Sequence, residues 1–210
     1  MMDIISNSQV ENTLRPYGVA LEPGVFDKIR SYTALLLKWN RTISLTTVTD
    51  PVEILKFHFG ESIFAASQVD FGESRLADVG SGAGFPGIPL AMTVPSLDVT
   101  LIESNSKKCV FLSEVVRELR LPNVQVLRER MENVDLGPRH FDVIAARALG
   151  HHNELLAWAK KNVSASGKVV LWLGDEDSRE LSRKTDWSWK APKLIPGSDR
   201  RYLLVGSPIL

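Results

Sequence analysis

One cysteine, no net charge and no long apolar run exclude several classes of protein before any motif is read. Cys109, being alone, can make neither an internal disulfide nor a structural zinc site, and this points to a reducing compartment. The 210 residues carry 25 Lys and Arg against 25 Asp and Glu, so overall charge does not draw the chain to nucleic acid. The balance is uneven, net −3 over residues 1–74 and +3 over the remainder. Any RNA footprint is therefore expected to be local and in the second part. No apolar stretch approaches the roughly 20 residues of a membrane-spanning helix. Met1-Met2-Asp3-Ile4-Ile5-Ser6 lacks the basic and apolar parts of a signal peptide. A cytoplasmic, monomeric single domain over residues 1–210 is expected, since 44% hydrophobic content suffices for a full core.

What is present is organised around Leu76-Ala77-Asp78-Val79-Gly80-Ser81-Gly82-Ala83-Gly84-Phe85-Pro86-Gly87. A short apolar run fits a buried strand, and the bare loop after it suits close backbone approach to a ligand. Gly82-Ala83-Gly84-Phe85-Pro86-Gly87 matches the G-x-G-x-x-G of dinucleotide enzymes. A diphosphate, however, needs free amides at the start of the next helix, and Pro86 and Pro89 remove two of them. Asp78 would repel a phosphate, yet it suits a ligand with an ammonium and a sulfonium group, such as S-adenosylmethionine. Gly80, Gly82 and Gly84 are the backbone candidates for binding it.

Around the loop, Pro23 opens a helix over residues 23–40, with Val25, Ile29, Tyr32, Leu36 and Trp39 at helical spacing. Asp50-Pro51-Val52-Glu53 starts a second helix running toward Phe57, and a third covers residues 61–68. Strands follow at 76–79, 99–103, 124–127, 141–145, 168–173 and 202–205, with helices at 87–92, 107–119, 153–161 and 176–183. Such alternation implies a doubly wound, mostly parallel sheet. A helical extension over 1–74 precedes this catalytic core over 75–210. Trp187-Ser188-Trp189 reads as packing.

In doubly wound sheets ligands sit at the carboxyl ends of the strands. Glu103 ends the second strand and is placed to accept from ribose hydroxyls, as the acid does in both adenosyl and nicotinamide sites. Met131 and Glu132 after the third strand either edge an adenine or begin an exposed helix. Arg147 ends the fourth, where it pairs with the donor's carboxylate, bonds a purine carbonyl oxygen, or is structural. No Asn/Asp-Pro-Pro-aromatic run holds an exocyclic amine there, and Cys109 lies too early to be a nucleophile. His58, between Phe57 and Phe59, is either a satisfied half-buried histidine or a site residue. His151-His152 has no third ligand at metal-site spacing, so no metal is expected. No G-x-S-x-G follows a strand, which disfavours a hydrolase.

Asp78 to Leu90 closely resembles the signature of the bacterial small-subunit ribosomal RNA guanine-N7 methyltransferases, the glucose-inhibited division protein B family. Trp39-Asn40-Arg41 with Ser44-Leu45-Thr46-Thr47-Val48 is similar to its W-N-x…N-L-T-x-V. His58 with Glu61-Ser62 falls at its H-x-x-D-S. Glu103-Ser104, Lys107-Lys108 with Phe111-Leu112, Arg130-Met131-Glu132 and Ala146-Arg147-Ala148 resemble its later motifs. The resemblance spans residues 30 to 205. It implies a Rossmann-like, class I S-adenosylmethionine-dependent methyltransferase with a seven-stranded sheet. It also implies donor contacts at Gly80, Phe85, Met131, Glu132 and Arg147, with Arg147 catalytic, and small-subunit (16S) ribosomal RNA or the 30S subunit as substrate. Three positions depart from the family: Phe57 stands for an arginine, Ser44 for an asparagine and Leu173 for a lysine, with Lys56 available to supply a charge. Arg41, Arg200 and Arg201 are candidate RNA contacts. A methyltransferase for a small molecule or protein, an NAD-dependent oxidoreductase, and an RNA-binding module without catalysis remain alternatives.

Overall fold

Ser6 and Gln9 cap each other, the hydroxyl accepting from the Gln9 amide at 3.2 Å and the Gln9 side chain accepting from the Ser6 amide at 2.9 Å. This cap starts α1 (Asn7–Leu14), a helix too short for its apolar spacing to stand out in the sequence. In this computed structural model, which describes residues 5–137 and 140–209, Met1–Ile4 of the amino-terminal reading lie outside the described residues. A 3₁₀ turn at Arg15–Tyr17 leads to α2 (Pro23–Trp39), which buries Val25, Ile29, Tyr32 and Leu36 along one face. Asp50 caps α3 (Pro51–Ile54) by accepting from the Glu53 amide at 2.9 Å.

Two separate helices were expected over 51–68, and there the structure differs. α3 continues through a π-helical stretch, Leu55–Gly60, into α4 (Glu61–Gln68) without a break. Tyr17 lies against this stretch, its hydroxyl donating to the Lys56 carbonyl at 3.1 Å. A Cβ on Gly60 would stand 2.3 Å from the Tyr17 ring. Glycine at 60 is thus required by close approach, and does not mark a helix end.

The sheet follows the expected alternation. The elements are β1 (Arg75–Val79), α5 (Gly87–Thr93), β2 (Asp98–Ile102), α6 (Ser106–Glu118), β3 (Val124–Leu127), β4 (Phe141–Arg147), α7 (His152–Asn162), β5 (Val163–Gly174), α8 (Asp175–Leu181), β6 (Trp187–Trp189), β7 (Lys193–Leu194) and β8 (Arg201–Pro208). β1 to β5 are parallel in the order β3-β2-β1-β4-β5. β8 joins β5 antiparallel and β6 pairs with β8, completing a path of seven strands. The two-residue β7, also on β8, stands off that path as an eighth.

Side chains alternate across the sheet, as strand geometry demands. Leu76, Val99, Leu101, Val143 and Val170 pack with the front helices. Ala77, Val79, Ile102, Ile144 and Val169 pack with α7 and α8 on the other face. β5 starts earlier than expected because Gly167 lies within it. The β4–β5 register shifts there, and a Cβ at 167 would meet Val163 at 2.4 Å and the Asp142 carbonyl at 2.8 Å. The strand order reverses between β1 and β4, and this is the crevice where doubly wound sheets bind ligands. Gly60→Ala is expected to cost about 1–3 kcal/mol in urea unfolding by overpacking Tyr17, and an unchanged unfolding free energy would contradict the close approach.

Candidate active site

The glycine loop leaves β1 and closes on itself. The amides of Gly80 and Ser81 donate to the Ile102 carbonyl at 2.9 and 3.1 Å, and those of Gly84 and Phe85 to the Ser81 carbonyl at 2.7 and 3.2 Å. Gly82 donates to Glu103 Oε2 at 3.0 Å, and Gly87 to Asp78 Oδ2 at 2.8 Å. Pro86 has no amide to offer. The donors a diphosphate would need are therefore engaged inside the protein.

Beside the loop lies a cavity of about 250 Å³ lined by Gly80, Glu103, Met131, Glu132, Leu149 and His151, among others. Four of the residues singled out from sequence thus share one wall. Glu103 is held in place, its Oε1 accepting from the Asn105 amide at 2.7 Å and its Oε2 from the Gly82 amide. Met131 begins a 3₁₀ turn (Met131–Asn133) and is buried. Leu149 was not foreseen. Ala148 takes φ +56°, which turns the chain after β4, and Leu149 Cδ1 comes within 3.0 Å of the place a Gly80 Cβ would fill. A positive φ at alanine leaves no mark in a sequence.

Gly84 and Phe85 face elsewhere. A Cβ on Gly84 would strike the Tyr32 hydroxyl, Ile88 and Leu112. The Phe85 ring stacks on Tyr32, centroids 5.1 Å apart at 5°, and on His58 at 4.9 Å and 28°. The Tyr32 hydroxyl also donates to the Ala83 carbonyl. These two residues anchor the loop to the front helices. Cys109 is buried on α6, its thiol against the Glu103 carbonyl at 3.1 Å.

Arg147 belongs to a second cluster. Val79 pairs with Ala146 across β1 and β4, so Arg147 stands level with Gly80. Its Nη2 is 3.0 Å from His58 Nδ1 and 3.6 Å from Glu61 Oε2, and its Nη1 is 3.4 Å from the His58 carbonyl. Arg201 reaches the other Glu61 oxygen at 2.7 Å and lies over the Phe57 ring, 4.5 Å from its centroid. The phenylalanine that replaces the family's arginine is therefore covered by a cation from β8. Lys56 is instead paired with Glu53 at 2.8 Å. Leu173 is buried in the β5–β8 pairing opposite Tyr202, whereas Ser44 and Arg41 are exposed.

Burial, with the Arg147 guanidinium beside it, holds the His58 pKa down at about 3, so the imidazole is neutral. Burial raises the Glu61 carboxyl against the pull of Arg147 and Arg201. Asp78 is fully enclosed beneath the loop, and burial pushes its pKa up to about 7 although Gly87 bonds its carboxylate. Its Oδ1 has no hydrogen-bond partner among the described residues. Asp78 does not line the cavity: enclosed beneath the loop, it holds the Gly87 amide, so the expectation that it meets the ligand's cation is not met. The cavity carboxylates and the closed loop fit a sulfonium nucleoside. No group of three or more potential metal ligands occurs among the described residues.

A sequence model of the GidB family, rRNA small subunit methyltransferase G, matches residues 26–194. The chain belongs to this family. Its relatives include ribosomal RNA small subunit methyltransferase G of Xanthomonas euvesicatoria, 48% identical over 178 residues, covering 83% of this chain and 82% of that one. Another, from Roseiflexus, is 34% identical over 205 residues and covers 92% and 88%. A crystal structure of an S-adenosylmethionine-dependent methyltransferase from Aquifex aeolicus superposes with a TM-score of 0.63 at 14% identity, over 75% of this chain and 93% of that one. The fold is thus the Rossmann-like methyltransferase fold.

The raised Asp78 pKa has a consequence for stability. Between its ordinary value near 4 and about 7 the folded carboxyl holds a proton that the unfolded one has released. Its contribution is complete below pH 4 and is lost as pH rises through 7. Asp78→Asn is expected to flatten the fall of unfolding free energy over that window in urea titrations. A slope equal to that of the wild type would contradict the assignment.

Proposed function

We propose that the chain transfers a methyl group from S-adenosylmethionine to N7 of a guanine in small-subunit ribosomal RNA. Family membership supports the methyl donor and the ribosomal RNA substrate. The observation that carries the reading in this chain is the glycine loop, whose amides are engaged internally beside a cavity walled by Glu103 and Glu132. The bound donor supplies an electrophilic methyl group on a sulfonium. Glu103 accepts from its ribose hydroxyls, Gly80 lets it approach the main chain, and Met131 and Glu132 edge its base. Arg147 orients the acceptor or the donor carboxylate at the end of β4.

A guanine N7 carries a free lone pair at neutral pH, so methylation there needs positioning and no general base. That agrees with a site whose histidine has both ring nitrogens engaged, by Arg147 and by Thr46. Residues 1–74 and 75–210 act as one unit in this reading, supported by a hydrophobic cluster that runs from Val10, Ile29 and Phe59 to Leu101 and Val143. Among the described residues no helix is long and apolar enough to cross a membrane. The place of action is the cytoplasm, with the ribosome.

The test is transfer of labelled methyl groups to purified 30S subunits, to free ribosomal RNA and to cell extract, followed by strand scission at N7-methylguanine. Label confined to one guanine N7 of small-subunit RNA is expected. Label only in protein or small molecules would overturn the proposal. Arg147→Ala should lower the methylation rate about ten- to a hundredfold, the worth of a charged hydrogen bond. Unchanged donor binding together with an unchanged rate would remove Arg147 from the site.

A further inference from the structure

Arg147 is oriented by a chain of contacts that starts in the front helices. Asn40, at the end of α2, accepts from the Leu45 and Thr46 amides at 2.9 and 3.0 Å and donates to the Thr46 carbonyl at 2.9 Å. This folds the 40–48 segment so that Thr46 Oγ1 lies 2.7 Å from His58 Nε2, while also accepting from the Val48 amide at 3.0 Å. The other ring nitrogen, Nδ1, faces Arg147 Nη2 at 3.0 Å. A guanidinium only donates, so Nδ1 must be the bare nitrogen and Nε2 must carry the proton. The ring plane is set by Phe85, stacked on it at 4.9 Å.

We infer that His58 is a positioning residue for Arg147: a neutral imidazole in the Nε2–H form, whose Nδ1 lone pair aims the guanidinium and whose ring Thr46 holds from the other side. This rests on the role given to Arg147 above. The charged groups around the ring are Arg147 on β4, Arg201 on β8 and Glu61 one turn along its own helix. The two arginines oppose a proton on Nδ1, and Glu61 is already shared between them. An imidazole that stayed neutral from pH 5.5 to 8 would hold Arg147 in one orientation throughout. A histidine acting as proton acceptor could not do so.

Two measurements test it. In protein labelled with ¹⁵N-histidine, the His58 Nδ1 resonance should be that of an unprotonated acceptor nitrogen and Nε2 that of a protonated one, unchanged between pH 5.5 and 8. A proton on Nδ1, or a titration midpoint near 6.5, would overturn the inference. His58→Asn places an acceptor close to the Nδ1 position, whereas His58→Gln keeps only the donor toward Thr46. With both variants checked for native melting, H58N should methylate about tenfold faster than H58Q, with the difference in kcat rather than in KM for the donor. Equal rates would overturn it. If H58Q fails to fold, the ¹⁵N signature of the wild-type protein still decides. Failure of the proposed reaction would show separately, as absence of N7-methylguanine with the wild-type enzyme, and would leave the tautomer readout intact.

Discussion

Phe85 is clasped between Tyr32 and His58, and the position of the whole ligand edge follows from that stack. Each such aromatic pair adds about 0.5–1.5 kcal/mol beyond the area it buries. Phe59 and Phe111 extend the cluster around Tyr32. One ring therefore ties α2, the helical run over 51–68 and α6 to the loop that follows β1. The loop's own hydrogen bonds make it rigid, and the aromatic clasp decides where that rigid piece sits. The front helices thereby hold in place the loop beside the cavity, although none of their residues lines it.

Charge at the strand ends has a similar logic. Glu61 is buried, and two arginines reach it from β4 and β8, leaving one surplus positive charge among them. Removing Glu61 would leave both arginines without their counter-charge, and breaking a buried pair in this way in general costs about 3–5 kcal/mol. The carbonyl of Glu61 also accepts from the Trp172 indole at 2.6 Å, so its backbone is fixed from β5. Neutral overall composition and a local excess of positive charge beside the acceptor end of the sheet are thus compatible. The first is a property of the sum, the second of three residues brought together from distant parts of the chain.

Much of this was legible in the sequence, where the signal is local. Proline at the start of α2, the Asp50 cap and the alternating apolar strands each act within a few residues, and the elements they specify are present. The placement of the glycine loop after β1 and of Glu103 after β2 was legible because a strand end, a turn and an acid at the next strand end form a short-range pattern. What was hidden depends on distance or on backbone angles. The continuous helical run over 51–68 was read as two helices, and the Tyr17 ring against Gly60 has no local mark. At Gly84 the missing Cβ makes room for Tyr32, Ile88 and Leu112, a packing need that no nearby residue signals. Leu149 enters the cavity only because Ala148 adopts a left-handed turn. Arg201, 140 positions from Glu61, carries no mark of its partner.

The central claim is that the front helices hold the glycine loop in its ligand-ready form, and its most direct test is amide hydrogen exchange at Gly84 and Phe85 in the wild type and in Tyr32→Phe. Loss of the single hydroxyl that donates to the Ala83 carbonyl should speed exchange at both amides and weaken binding of S-adenosylhomocysteine, with global stability retained. Exchange and binding equal to those of the wild type would contradict the account.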